Sequence, residues 1–184
     1  MKHPIPKSQA LADEAKALYD VLNDESDLAC VLIGTSYLDY ALASLLKHHF
    51  IESSVADKIL NAPSGVLSTF ASRYDIAYCL GLIPKGLYRN LEVVGRVRNA
   101  FAHSYLTLDF DHPEVAKLID SLTFPAVHES FSLDESRVRS DNPNPFGPFT
   151  QPRNKFTIVL IMMVNRLLMT GLATEHQAKL RDDW

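Results

Sequence analysis

The side chains of this 184-residue chain that could do chemistry are concentrated in one run, Arg98-Asn99-Ala100-Phe101-Ala102-His103. It sets a guanidinium, an amide and an imidazole within six positions. Other reactive constellations are missing from the sequence: there is no Gly-rich phosphate loop, no His-x-x-x-His, no Gly-x-Ser-x-Gly and no paired-cysteine pattern. The seven histidines are scattered, and no two have a spacing that aims both imidazoles at one metal from a single helical face. No metal and no cofactor is expected.

At about 100° per residue, Leu87, Leu91, Val94, Phe101 and Tyr105 define the apolar face of the helix carrying this run, and Arg98 falls within it. Lys85, Arg89, Arg96, Asn99 and His103 lie on the opposite, polar side, with Glu92 among them. A guanidinium turned toward the core needs a carboxylate or phosphate beside it, because an unpaired buried charge is costly. Asp39 is the foremost internal partner, since it interrupts the apolar middle of an earlier helix; Asp27 and Asp75 are others. A polar pocket of Asp27, Asp39 and Arg98, bordered by the hydroxyls of Tyr37 and Tyr40, is therefore one reading, with an Arg98–Asp39 pair holding helix register. A direct functional role for Arg98 is the other. Lys85, Arg89 and Arg96 form the most positive helical face, a candidate phosphate-contact surface, although three cations on a helix are usually a solvated face.

The elements that must position these groups are helices. Ser8 caps a first helix carrying Leu11, Ala15, Leu18 and Leu22; a second runs from Ser26-Asp27 to about His49. In the second, Leu28, Val31, Leu32, Thr35, Leu38, Leu42, Leu45 and Leu46 recur at three and four as one apolar stripe. A third helix opens at Ser53-Ser54 and ends before Pro63. A fourth is capped by Ser64, turns Leu67, Phe70, Ala71, Tyr74, Ala77 and Tyr78 inward, and closes at Gly81–Pro84. The fifth follows Pro84 to about Tyr105, a short sixth spans Asp111–Leu122, and the last spans roughly Arg153–Leu180. Residues 123–152 hold five of the ten prolines and read as a long irregular loop. No strand-like alternation stands out. The fold class is all-α, a single domain over 1–184 built as a bundle of about seven helices, with core helices at about 8–122 and 153–180.

Composition sets the function classes. With 18 Lys+Arg against 22 Asp+Glu the net charge is −4, which gives no global attraction to nucleic acid. No helix-turn-helix with a basic second helix is present, so direct sequence-specific DNA binding is not expected. Cys30 and Cys79 sit in apolar helical patterns and read as buried free thiols in a reducing, cytoplasmic setting. The strongest apolar run, Phe156–Val164, is well short of the roughly 20 residues that span a bilayer, so no membrane association is expected.

Glu25–Asp27, Tyr37–Asp39, Tyr74–Ile83 and Val97–Ser104, in that order, resemble the mannitol operon repressor family, over about residues 10–122 and more weakly from Arg153 to Phe156. Arg98-Asn99-x-x-x-His103 is also similar to the Arg-x(4–6)-His motif of the HEPN superfamily of small helical domains. The first resemblance implies a bacterial regulatory protein tied to transcriptional repression of a sugar-alcohol operon; lacking a DNA-reading module, it would act through another regulatory protein. The second implies an alternative, a metal-independent endoribonuclease or toxin-like module with paired motifs in a homodimer cleft. There His103 would move the 2′-hydroxyl proton, Arg98 would stabilise charge on the phosphorane and Asn99 would orient the phosphate of a bound RNA. An ideal helix separates Arg98 from His103 by about 140°, which opposes that alternative within one protomer. The regulatory reading, as a homodimer, is preferred.

Overall fold

The computed structural model describes residues 17–103, 108–124 and 150–173, and among them every regular element is a helix. We number these α1 (17–24), α2 (Asp27–His49), α3 (Ser54–Asn61), α4 (Phe70–Cys79), α5 (Lys85–His103), α6 (Pro113–Asp120) and α7 (Pro152–Ala173). The Ser8 cap, the segment 125–149, most of the expected 123–152 loop, and the expected end of the last helix lie outside the described residues.

Local chemistry sets the boundaries. The Ser26 hydroxyl accepts from the Ala29 N–H at the start of α2, and Asp27 in the first turn with Lys47, His48 and His49 in the last complement the helix dipole. Ser53 caps α3 in the same way. The fourth helix starts later than Ser64, at Phe70, because Thr69 and Ser72 form a reciprocal capping box there. Its end is a Schellman turn: Leu82 N–H reaches Ala77 O and Gly81 N–H reaches Tyr78 O, with Gly81 at φ 70°.

The centre of the fold is the α2–α7 pair. Asp27 meets Arg153, Cys30 Sγ lies 3.8 Å from Thr157 Oγ1, Gly34 faces Leu160 and Leu45 faces Gly171, so the two helices run in the same direction at a nearly constant offset. A Cβ at Gly34 would fall 2.5 Å from Leu160 Cδ1, so the absent side chain is what lets the helices approach there. Phe156 to Ile161 are all buried, and a helix apolar around its whole circumference belongs in a core. Leu38, Leu42, Leu45, Leu46, Leu91, Ile119, Leu160, Met163 and Leu167 complete the core, and α4, α5 and α6 close around it.

Three expectations change. Leu28 and Leu32 of the α2 stripe face outward, at 45% and 36% exposure, because α7 covers the side of α2 centred on Val31, Leu38 and Leu42. Cys79 is exposed, whereas Cys30 is buried. The apolar stretch of the last helix continues through Leu167 and Leu168, so that α2 and α7 both have the length and composition to cross a membrane. Their packing on one another explains much of that character, since 44% and 56% of the respective apolar stretches are buried inside the fold.

Arg153 binds the start of this pair together. Its Nη1 pairs with Asp27 Oδ1, and Nη2 donates to the carbonyls of Leu22 (2.9 Å), Asn23 (3.2 Å) and Glu25. The other Asp27 oxygen accepts the Phe110 N–H at 2.9 Å, and the guanidinium stands 5.8 Å from the centre of the Phe110 ring. Removing one partner of a half-buried hydrogen-bonded pair strands the other. Arg153→Ala should therefore cost about 3 kcal/mol, seen as a lower urea midpoint, and Arg153→Lys should recover little of it because an ammonium cannot reach the Asp27 carboxylate and all three carbonyls at once. Equal midpoints for Arg153→Ala and for Arg166→Ala, at an exposed position of α7, would refute this role.

Candidate functional site

The run singled out in the sequence borders a cleft of about 800 Å³. Leu32, Thr35, Ser36 and Asp39 of α2 form one wall, and Ser68, Thr69 and the first turns of α4 through Tyr74 form a second. The third wall is α5, where Gly95 and Asn99 sit centrally with Arg98 and Arg96 flanking them on opposite sides. The capping box holds the α4 edge, and the Phe70, Tyr74 and Tyr88 rings stack edge-on to brace α4 against α5.

Arg98 is not buried. Its side chain is exposed, and Nη1 donates to Asn99 Oδ1 at 3.1 Å. The inward face of α5 is instead Leu87, Asn90, Leu91, Val94, Val97 and Phe101, a rotation that leaves Arg98 on the flank. Water then solvates its charge, which is less costly than burial beside a carboxylate. The expected Arg98–Asp39 pair is thus absent: Asp39 Oδ2 binds Arg73 Nη1 at 2.5 Å. Arg73 is buried, and its Nε and Nη2 donate to Leu67 O and Leu60 O, each at 2.9 Å. This arginine ties α2, the end of α3 and the 62–69 connection beneath the cleft. Its signal was in the sequence, because Arg73 lies three residues after Phe70 and four before Ala77 on the inward side of α4. The second Asp39 oxygen is buried without a hydrogen-bond partner among the described residues.

The other candidate residues separate. Asp27 belongs to the Arg153 cluster, twelve residues or about 18 Å along α2 from Asp39, so Asp27, Asp39 and Arg98 do not form one pocket. Arg98 and Asn99 line the cleft, whereas His103, exposed at the last residue of α5, does not. Of the basic face, Lys85 and Arg89 are exposed away from the cleft and Arg96 stands at its lip. Among the described residues neither Arg96 nor Arg98 has an ion-pair partner. No three His, Cys, Asp or Glu side chains among those residues converge to hold a metal.

Behind the α4 wall, the Tyr88 hydroxyl donates to Asp75 Oδ1 at 3.1 Å, which pushes its pKa up to about 12. Burial, with Asp75 and Glu92 adding to it, also raises the Tyr74 phenol. A phenol with a raised folded-state pKa stabilises the fold below its unfolded value near 10, and that contribution disappears as pH climbs through about 12. In an ultraviolet absorbance titration, Asp75→Asn should bring the last-ionising tyrosine to lower pH and Tyr88→Phe should delete it.

The contrast between the arginines gives a further expectation. Arg73→Ala strands Asp39 and two carbonyls and should lower stability by about 3 kcal/mol, whereas Arg98→Ala, at an exposed position, should stay within about 0.5 kcal/mol of wild type. Calorimetric melting of the two variants measures both. Similar losses would return Arg98 to a structural role.

No family model and no curated protein matches the sequence of this chain. Its fold has a solved counterpart, a chain in the X-ray structure of the MtlR–HPr complex from Escherichia coli, with a TM-score of 0.60 over 84% of this chain and 98% of that one. Identity between them is 17%, so the likeness is one of architecture, and the fold of this chain is MtlR-like.

Proposed function

We propose that this chain is a regulatory protein of the MtlR type, a transcriptional-repressor-like factor of bacteria that works by contact with another protein. The observation that carries the reading is the match over 98% of a chain crystallised in complex with HPr. The order of the helices and of the segments that resemble the mannitol operon repressor family supports it. We further propose a single cytoplasmic domain that forms homodimers and does not associate with membranes; the two free thiols accord with a reducing compartment. Reading DNA unaided has little support, since Lys85 and Arg89 are the only cations on the outer side of α5 away from the cleft. So few phosphate contacts supply only a small part of a dimeric repressor's affinity.

The endoribonuclease alternative is weakened by one geometric fact: Arg98 and Asn99 line the cleft and His103 lies outside it. Its general base would have to come from a second protomer or a different helix end.

Titrating the purified chain with HPr of its own organism in a calorimeter tests the proposal. Saturable binding with defined stoichiometry is the expected result, and no heat of binding at high concentration of both proteins would end the reading. In parallel, RNA incubated with the chain in EDTA should stay intact. Cleavage that disappears in both Arg98→Ala and His103→Ala would replace the regulatory reading with the catalytic one.

A further inference from the structure

The outer side of α2 is anomalous for a helix packed on one face. Leu28, Leu32, Tyr37 and Tyr40 are 45%, 36%, 45% and 69% exposed, and Leu32, Ile33, Ser36, Tyr37 and Tyr40 line an apolar groove of about 530 Å³. Isolated exposed apolar side chains are ordinary, but a contiguous patch on one helix is a mark of association. Between Leu28 and Leu46 the only charged side chain on α2 is Asp39, and Arg73 neutralises it. Nothing on this stripe therefore resists desolvation.

The groove runs into the cleft, because Leu32 and Ser36 line both. With Asp39 counted as paired, the charges of the cleft are Arg96 and Arg98 against Glu92, an excess of one cation. Neither arginine is held by a carboxylate among the described residues. Tyrosine and arginine are the residue types that dominate binding energy at protein interfaces, with an apolar centre and a polar rim. Two tyrosines and a leucine, joined through Leu32 and Ser36 to a cleft whose Arg98 has no carboxylate partner among the described residues, reproduce that anatomy.

We propose that this continuous surface, the outer stripe of α2 with the Arg98 side of the cleft, is where the chain receives its protein partner. The partner is a folded protein that presents an apolar side chain flanked by carboxylates. The apolar side chain enters the groove between Tyr37 and Tyr40, and the carboxylates face Arg98 and Arg96. This rests on the regulatory reading and adds to it the surface and the chemistry of the contact.

The test uses the full chain and the partner of the calorimetric titration. Leu32→Ser with Tyr40→Ser should weaken binding at least tenfold while lowering the melting temperature only slightly, since neither side chain belongs to the core. Arg98→Glu should weaken it several-fold and flatten its dependence on salt, and Lys117→Glu on α6 should leave it unchanged. Binding by wild type that all these variants retain overturns the surface and leaves the regulatory reading standing. No binding by wild type overturns both. A concentration-dependent increase in mass of the chain alone, lost in the double variant, would assign the stripe to a second copy and equally overturn the proposal.

Discussion

One guanidinium holds together what the rest of the molecule is built upon. Because α2 and α7 run in the same direction, their N-termini lie side by side, and both present the positive end of a helix dipole. The end of α1 meets them there, with carbonyls that have no intrahelical donor. Arg153 in the first turn of α7 is by itself the wrong sign for that place. It is tolerated because Asp27, in the first turn of α2, neutralises it and favours both helix ends, while Nη2 gathers the carbonyls of Leu22, Asn23 and Glu25. Phe110 joins the cluster through its N–H and its ring. The register of α2 against α7 follows, and with it the close approach at Gly34 and the burial of Phe156 to Ile161.

A second guanidinium does the same on the other side of α2. Arg73 spends every nitrogen on protein: one on Asp39 and two on the carbonyls of Leu60 and Leu67. Among the described residues Arg98 spends one on its neighbour Asn99 and none on a carboxylate. The two differ by what surrounds them. Arg73 is enclosed and therefore needs full satisfaction, while Arg98 stands exposed on the flank of α5, where water meets that need. The cleft owes its residual positive character to this division, because Arg73 takes up Asp39 and leaves Glu92 as the carboxylate facing both Arg96 and Arg98.

Much of the fold was legible in the sequence, and the reason is local. Ser26, Ser53, Gly81 and Pro84 are capping and turn residues whose effect does not depend on distant contacts, and α2, α3 and the start of α5 begin where they imply. Thr69 outcompeted Ser64 at α4 because only Thr69 has Ser72 three residues on to answer it. The site was less legible, because the orientation of a helix about its own axis is settled by its neighbours. Val97 and Asn90 face inward and Arg98 does not; the apolar set Leu87, Leu91, Val94 and Phe101 tolerates either choice. Asn90 in the core is explained only by the chain it meets, pairing its amide with the Thr123 N–H and carbonyl at 3.1 and 2.6 Å. Asp39 was singled out as the partner of Arg98, and it pairs instead with Arg73 of α4.

The two most apolar helices illustrate why apolar character has to be weighed against what covers it. In α7 the stretch Phe156 to Ile161 is buried on every side, so the fold accounts for its apolar character. α2 is apolar on two sides and enclosed on one. Its inner side, at Val31, Leu38, Leu42 and Leu45, belongs to the core; its outer side, at Leu28, Leu32, Tyr37 and Tyr40, stays outside the core cluster at 36–69% exposure among the described residues. The fold alone would be served as well by glutamate or lysine at those outer positions, which favour both helix formation and solubility. Their apolar identity, with an aromatic ring at the most exposed place and an arginine without a carboxylate partner among the described residues at the edge, is therefore a property directed outward, and it places the informative surface of this protein on α2 as much as in the arginine–histidine run that first drew notice.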